Sequence, residues 1–287
     1  MTILITGASG HLGHLVIHSL LERGAAASDI VAGARTTSKL DDLAALGVRT
    51  AHLDYDQPET IAAALEGVDT VLLISGSEPG RRFPGHKNVI DAAVAAGGVQ
   101  KFVYTSAAKA TSFEWPLGAE HKATEEALAA SGLPTVILRN NWYTENYLGD
   151  VQRAADSGVI VASVADGLIA PAPRADYAEA AAVVLLEDGH LGQVYELAGD
   201  ASITYGELAA AAGEALGREV AYVPVSHEDH VGGMQGAGLD AATAEFVASI
   251  DDGIRGGVLA DTDGTLARLI GHPTTPVVET FRAAAAS

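Results

Sequence analysis

The chain has no cysteine. That excludes disulfides, thiolate nucleophiles and cysteine-ligated metals. Basic residues are scarce as well: 17 lysines and arginines stand against 37 aspartates and glutamates, a formal charge of −20 with histidine neutral. The sign is wrong for a surface that grips a phosphate backbone, so nucleic acid is not an expected partner. Long apolar runs are missing. The longest, such as Ala180 to Leu186, are far too short to span a bilayer. No basic segment precedes an apolar core near Met1, so neither membrane insertion nor a secretory signal is expected, and a soluble cytoplasmic protein is. His86, His272 and the remaining histidines suggest no paired ligand spacing. Asp251-Asp252 and Asp261-Thr-Asp263 do not fit a calcium-binding EF-hand loop, so no metal is expected.

What is present is concentrated at the start. Thr2 to Thr6 is a short apolar run with β-branched residues and reads as a buried strand. It breaks into Gly7, Ala8, Ser9, Gly10, His11, Leu12 and Gly13, after which Leu15, Val16, Leu20 and Leu21 continue an amphipathic helix. Strand, glycine turn and helix start are the parts of a dinucleotide site. One glycine allows the tight turn, one lets the backbone approach a pyrophosphate, and one lets the helix pack on the strand. The pyrophosphate then meets N–H groups at the positive end of the helix.

Strand and helix patterns alternate from there. Strands are expected at Ile30 to Ala34, Val48 to Leu53, Asp69 to Ser75, Lys101 to Thr105 and Thr135 to Arg139, with helices between them. Ser38 to Asp41 has capping-box spacing, and so does Thr204 to Glu207; Ser226 to Asp229 opens a further helix. Near-continuous apolar strands separated by helices indicate a parallel sheet covered on both faces. The expected fold is α/β: a Rossmann-like, doubly wound parallel sheet with a smaller C-terminal α+β lobe. Residues 1–140 form the dinucleotide domain, segments near 176–200 return to it, and 141–287 form the lobe that binds substrate. The glycine-rich segment from Gly232 to Gly264 suggests short helices separated by loops, and the tail Ala283 to Ser287 is expected to fray.

The end of the second strand distinguishes the two nicotinamide cofactors. An acid there would bind a ribose 2′-hydroxyl; this chain has Gly33-Ala-Arg35-Thr-Thr-Ser38-Lys39 instead. Arg35 can meet a 2′-phosphate with a planar fork of donors, and no carboxylate occupies the position to repel it. NADP(H) is the expected cofactor. Asp54-Tyr55 is placed to meet the adenine, and Ser75-Gly76-Ser77 to pass the pyrophosphate.

Short-chain dehydrogenases carry Tyr and Lys four residues apart on the helix after the fifth strand. None of the eight tyrosines here has lysine at that spacing; the corresponding helix reads Glu120-His121-Lys-Ala-Thr-Glu125, with Thr105-Ser106 after the strand. Leu72-Leu-Ile-Ser-Gly-Ser-Glu78, His86-Lys-Asn-Val-Ile90, Leu138-Arg-Asn-Asn-Trp-Tyr-Thr-Glu-Asn-Tyr147, Arg174-Ala-Asp-Tyr177, Val194-Tyr-Glu-Leu-Ala-Gly-Asp200 and Leu269-Ile-Gly-His-Pro-Thr274 together resemble bacterial NADPH:quinone oxidoreductases. These belong to the NmrA-like group of atypical short-chain dehydrogenases, with triphenylmethane dye reductases as near relatives and NmrA-type co-regulators as more distant ones. The resemblance implies hydride transfer from NADPH to a quinone. It also implies cofactor contacts at Gly7 to Leu12, Arg35, Ser75 to Ser77, Arg139, Asn141, Trp142, Tyr143 and Arg174. Asn141 departs from the smaller residue, commonly glycine, expected there, and its side chain is expected to narrow the site. Asn140 and His121 are the candidate catalytic residues, set to orient the quinone oxygen, while Trp142 or Tyr143 walls its ring. Two other readings stay open: a non-catalytic NADP(H)-binding redox sensor, and a reductase of another conjugated electrophile such as a dye. A homodimer is one admissible assembly.

Overall fold

The computed structural model describes residues 1–286. The described strands are β1 (Ile3–Ile5), β2 (Ile30–Ala34), β3 (Arg49–His52), β4 (Thr70–Leu73), β5 (Lys101–Ala107), β6 (Thr135–Asn140), β7 (Val159–Ala162), β8 (Leu168–Ile169), β9 (Val194–Leu197), β10 (Ile203–Thr204) and β11 (Ala221–Pro224). The helices are α1 (His11–Glu22), α2 (Asp41–Ala45), α3 (Pro58–Ala64), α4 (Arg82–Ala96), α5 (Gly118–Ser131), α6 (Leu148–Ser157), α7 (Arg174–Leu186), α8 (Tyr205–Leu216), α9 (His227–Gly236), α10 (Ala241–Arg255), α11 (Thr265–Ile270) and α12 (Val277–Ala285). No helix among the described residues is long and apolar enough to cross a membrane.

The chain divides into two compact units. The first comprises Met1–Thr111, Ala119–Asn140 and Arg174–Glu196. Its sheet runs β3-β2-β1-β4-β5-β6-β9, and every pairing from β3 to β6 is parallel. Residues of β1, β2, β4 and β5 are buried throughout, as expected for strands covered on both faces. Strand order reverses between β1 and β4, the switch point at which such sheets bind ligands beyond their carboxyl ends. Helix α1 packs along the alanine-rich α7, with Arg23 and Glu179 paired at 2.5 Å. The Lys101 ammonium donates to the carbonyls of Val184, Leu185 and Glu187, satisfying acceptors that the end of α7 leaves open.

The second unit comprises Ser112–Gly118, Asn141–Pro173 and Leu197–Ser287. It holds two small sheets, the parallel pair β7 and β11 and the antiparallel pair β8 and β10. Tyr205 meets Tyr147 edge to face and Tyr222 at a tilt within it, and Phe281 of α12 is fully buried. The capping box at Thr204 is present in both directions, and Ser226 caps α9 through the Asp229 N–H.

Local expectations failed where packing overrode spacing. Ser38 opens no capping box: Thr37–Leu40 is a 3₁₀ turn without a side-chain cap, anchored by the fully buried Leu40. Between Gly232 and Gly264 lies one 15-residue helix, α10, rather than short helices alone. Asp240 caps it, and its stripe of Ala244, Ala248, Ile250 and Ile254 is buried. The tail is helical through Ala285, while Ser287 lies outside the described residues.

Candidate functional site

The glycine turn is held by close approach. Gly7 has φ +60°, the left-handed region that favours glycine. A Cβ on Gly13 would lie 2.6 Å from the Gly7 carbonyl oxygen and 2.8 Å from Ala8 Cα, so helix and strand meet at this spacing only through glycine. Ala8 is buried beneath the turn and its N–H donates to Gly33 O at 3.0 Å. Gly10 is the N-cap of α1, no side chain caps that end, and the first turn contains no acid. The positive end of α1 therefore has no anionic side chain of its own, which suits a pyrophosphate.

A cleft of about 270 Å³ opens at this turn. Gly7, Ser9, Gly10, Arg35, Ser75, Gly76 and Ser77 all line it, together with Asp54, Tyr55 and a segment through Glu78, Arg81, Arg82 and Gly85. His11, Leu12 and Gly13 form the first turn of α1 beyond Gly10. The Arg35 side chain is 69% exposed and sits 3.9 Å from Glu78. Tyr55 closes the floor: its hydroxyl donates to Ile74 O at 2.7 Å and lies 2.5 Å from Thr6 Oγ1, and burial raises its pKa.

The segment behind the cleft is fastened from α5. Glu120 Oε2 accepts from the Gly80 N–H at 2.7 Å, and Oε1 accepts from Arg82 N–H at 2.8 Å and Phe83 N–H at 3.2 Å. It thereby satisfies donors at the start of α4 from another helix. Arg82 Nε donates to Gly76 O at 2.6 Å. His86 Nε2 accepts the Gly76 N–H at 2.9 Å, which fixes the proton on Nδ1; that N–H faces Thr124 Oγ1 at 2.9 Å, and the threonine hydroxyl donates to Glu120 O at 2.8 Å. Burial, then the nearby Arg82 charge, push the His86 pKa down to about 4, so the ring is neutral at neutral pH. Glu120 and Thr124 carry no sequence signal for this work, because their partners in the Gly80 to His86 segment lie 37–40 residues away.

Several expected site residues are placed elsewhere. His121 is 4% exposed, with Nδ1 2.7 Å from the buried Tyr104 hydroxyl. Burial, followed by the charges of Arg82 and His86, lowers its pKa to about 3. Neutral and enclosed, it has Nδ1 engaged with Tyr104 and does not line the glycine cleft. Arg139 does not line the glycine cleft. It pairs with Glu125 at 2.6 Å and Glu196 at 3.0 Å and donates to Thr111 at 2.7 Å, with its side chain 13% exposed. Ser106 lies within β5 and donates to the same Glu125 at 2.6 Å. Asn141 is also engaged: Nδ2 donates to Leu259 O at 3.2 Å, Oδ1 accepts the Trp142 N–H at 2.6 Å, and its own N–H donates to Leu197 O. Its amide is a clip inside the second unit rather than a narrowing of the cleft. Asn140 is buried at the end of β6, Trp142 and Tyr143 are half-buried in the second unit, and Arg174 opens α7. None of these four lines the glycine cleft.

Comparison with known proteins agrees with this geometry. The profile of the NAD(P)H-binding family matches residues 7–188. Quinone oxidoreductase 2 of Escherichia coli is 46% identical over 277 residues, 96% of either chain. The crystal structure of the NADPH-dependent quinone oxidoreductase from Escherichia coli, complexed with NADPH, superposes with a TM-score of 0.94 at 45% identity, covering 98% of this chain and 99% of that one. The Citrobacter triphenylmethane reductase complexed with NADP(H) gives 0.93 at 38% identity, covering 99% and 100%.

Proposed function

The chain belongs to the NAD(P)H-binding family, and on that footing we propose that it is an NADPH-dependent oxidoreductase that delivers hydride to a quinone. The observation that carries this is the cleft itself: an uncapped helix end at Gly10 beside an exposed Arg35, with no carboxylate at the end of β2. Bound NADPH would supply the hydride. Gly7, Ser9 and Gly10 would seat its pyrophosphate against the start of α1, and Ser75 to Ser77 would pass alongside. Arg35 would take the 2′-phosphate. Its exposed 3.9 Å pairing with Glu78 is weak and easily exchanged for a phosphate.

The acceptor follows from what the chain lacks. Reducing an ordinary ketone yields a strongly basic alkoxide and demands a positioned acid. Here the Tyr/Lys pair is absent and His121 is held neutral near pKa 3. A quinone yields a resonance-stabilised phenolate, which solvent can protonate, so placement and orientation suffice. Asn140, at the end of β6, is the proposed hydrogen-bonding partner of the acceptor.

The test follows NADPH absorbance with menadione, benzoquinone and a triphenylmethane dye. Turnover with the quinones is expected. Tight NADPH binding without turnover on any acceptor would instead indicate a redox sensor. Arg35→Ala should raise the KM for NADPH about tenfold or more while leaving that for NADH nearly unchanged. Equal effects on both cofactors would remove the 2′-phosphate assignment.

A further inference from the structure

Behind the glycine turn, α1 carries a feature that hydride transfer does not use. His14 and His18 lie one helical turn apart, so their side chains project from the same face. Their rings approach to 5.0 Å between centroids, tilted by 47°. Asp42, in the first turn of α2, reaches across so that its Oδ2 lies 2.8 Å from His14 Nε2. One ligand atom from each of the three residues can be chosen so that all lie within 4.8 Å of one another. This corrects the expectation that no histidines here have ligand spacing: the i, i+4 pair was present, and its third member comes from a separate helix.

We propose that His14, His18 and Asp42 form a binding site for a divalent first-row transition ion of the zinc class. Donor type argues for this class: two imidazoles and one carboxylate suit zinc, nickel or copper, whereas magnesium and calcium require oxygen-rich shells. Distance allows it. Donor atoms around a tetrahedral zinc stand about 3.3 Å apart, given bonds of about 2.0–2.1 Å. Closing from 4.8 Å needs only rotations of side chains that are half-buried (His14, His18) or exposed (Asp42). The ion would replace the His14–Asp42 hydrogen bond and leave at least one position for water. With a formal charge of −20, the chain also favours cations near its surface. The ion would join the helix that begins at the glycine turn to the helix that follows Arg35, fastening two segments that flank the cleft.

The experiment is calorimetric titration of the intact, chelator-treated protein with Zn²⁺, alongside thermal melts. One equivalent should bind with a micromolar dissociation constant, and saturating Zn²⁺ should raise Tm by roughly 2–6 °C. His18→Ala and Asp42→Ala should each weaken binding at least tenfold, while His52→Ala, on β3, should bind like the parent. These are surface substitutions, and unchanged far-UV circular dichroism would show that the variants are folded. Absence of binding up to millimolar Zn²⁺ overturns the site, as does wild-type affinity in folded His18→Ala. The readout does not require turnover, so it stands apart from the assignment of the acceptor.

Discussion

A buried imidazole that is neutral at physiological pH has structural work to do even when it moves no proton. His121 supplies the partner of the Tyr104 hydroxyl in a region with almost no water access. Removing the ring leaves that hydroxyl without this bond and opens a cavity. His121→Ala should therefore be destabilised by about 2–4 kcal/mol in urea unfolding, with kcat for a quinone within about twofold of the parent. A large loss of kcat with little loss of stability would restore a catalytic role. Arg139 makes the same point with charge. Four hydrogen bonds to Glu125, Glu196 and Thr111 tie β6 to its neighbours, and the Glu125 bonds hold its pKa above the ordinary arginine value.

Helix α5 occupies the place where a short-chain dehydrogenase presents its tyrosine and lysine, and here it supports the cleft instead. Its Glu120 carboxylate holds three backbone N–H groups, that of Gly80 before α4 and those of Arg82 and Phe83 at its start. Glu120→Gln would turn an amide NH₂ toward one or more of those donors. The KM for NADPH should rise about three- to tenfold with kcat unchanged, as measured in steady-state assays at fixed quinone. An unchanged KM in a folded variant would dismiss this clasp. The sequence made β2 legible at both ends, together with the Gly7 to Gly13 turn, Arg35, and the Thr204 and Ser226 caps, because each depends on neighbours within a few residues. The Glu120 clasp could not be read in advance. Its partner Gly80 is 40 residues away, and phasing a helix face to within one residue requires the tertiary fold: His121 points about 100° away from Glu120 around the axis. The Asn141 clip is illegible for the same reason, since its amide meets Leu259, 118 positions on.

At the scale of the whole molecule, the lowered histidines make stability depend on pH with a definite sign. The ordinary value is 6.5, and the folded values are about 4 for His86 and about 3 for His121. Between those limits the unfolded chain binds protons that the fold refuses. Their contribution is fully present above pH 6.5 and is lost as pH falls toward 4 and then 3. For His86 alone this is on the order of 3 kcal/mol. Urea midpoints measured from pH 7 to pH 4 should fall, and the slope should be shallower in His121→Ala by up to one proton. Parallel slopes in parent and variant would exclude the effect for His121. His227 on α9 acts in the opposite direction. Its hydrogen bonds to Asp252 and then Glu245 raise its pKa, so its small, exposed contribution is present at low pH and lost as pH rises.

The pairing of α1 with α7 also sets an order of events on the ribosome. Every residue that lines the glycine cleft lies between Gly7 and Gly85, so translation completes the lining early. The helix that packs along α1 does not begin until Arg174. For roughly a third of its synthesis, from Gly85 to Arg174, the nascent chain therefore carries all of the cleft's lining residues but lacks the helix that seats their first turn. Possession of the lining and possession of a firm nucleotide site are separated in time by the making of β5, β6 and the whole of α6.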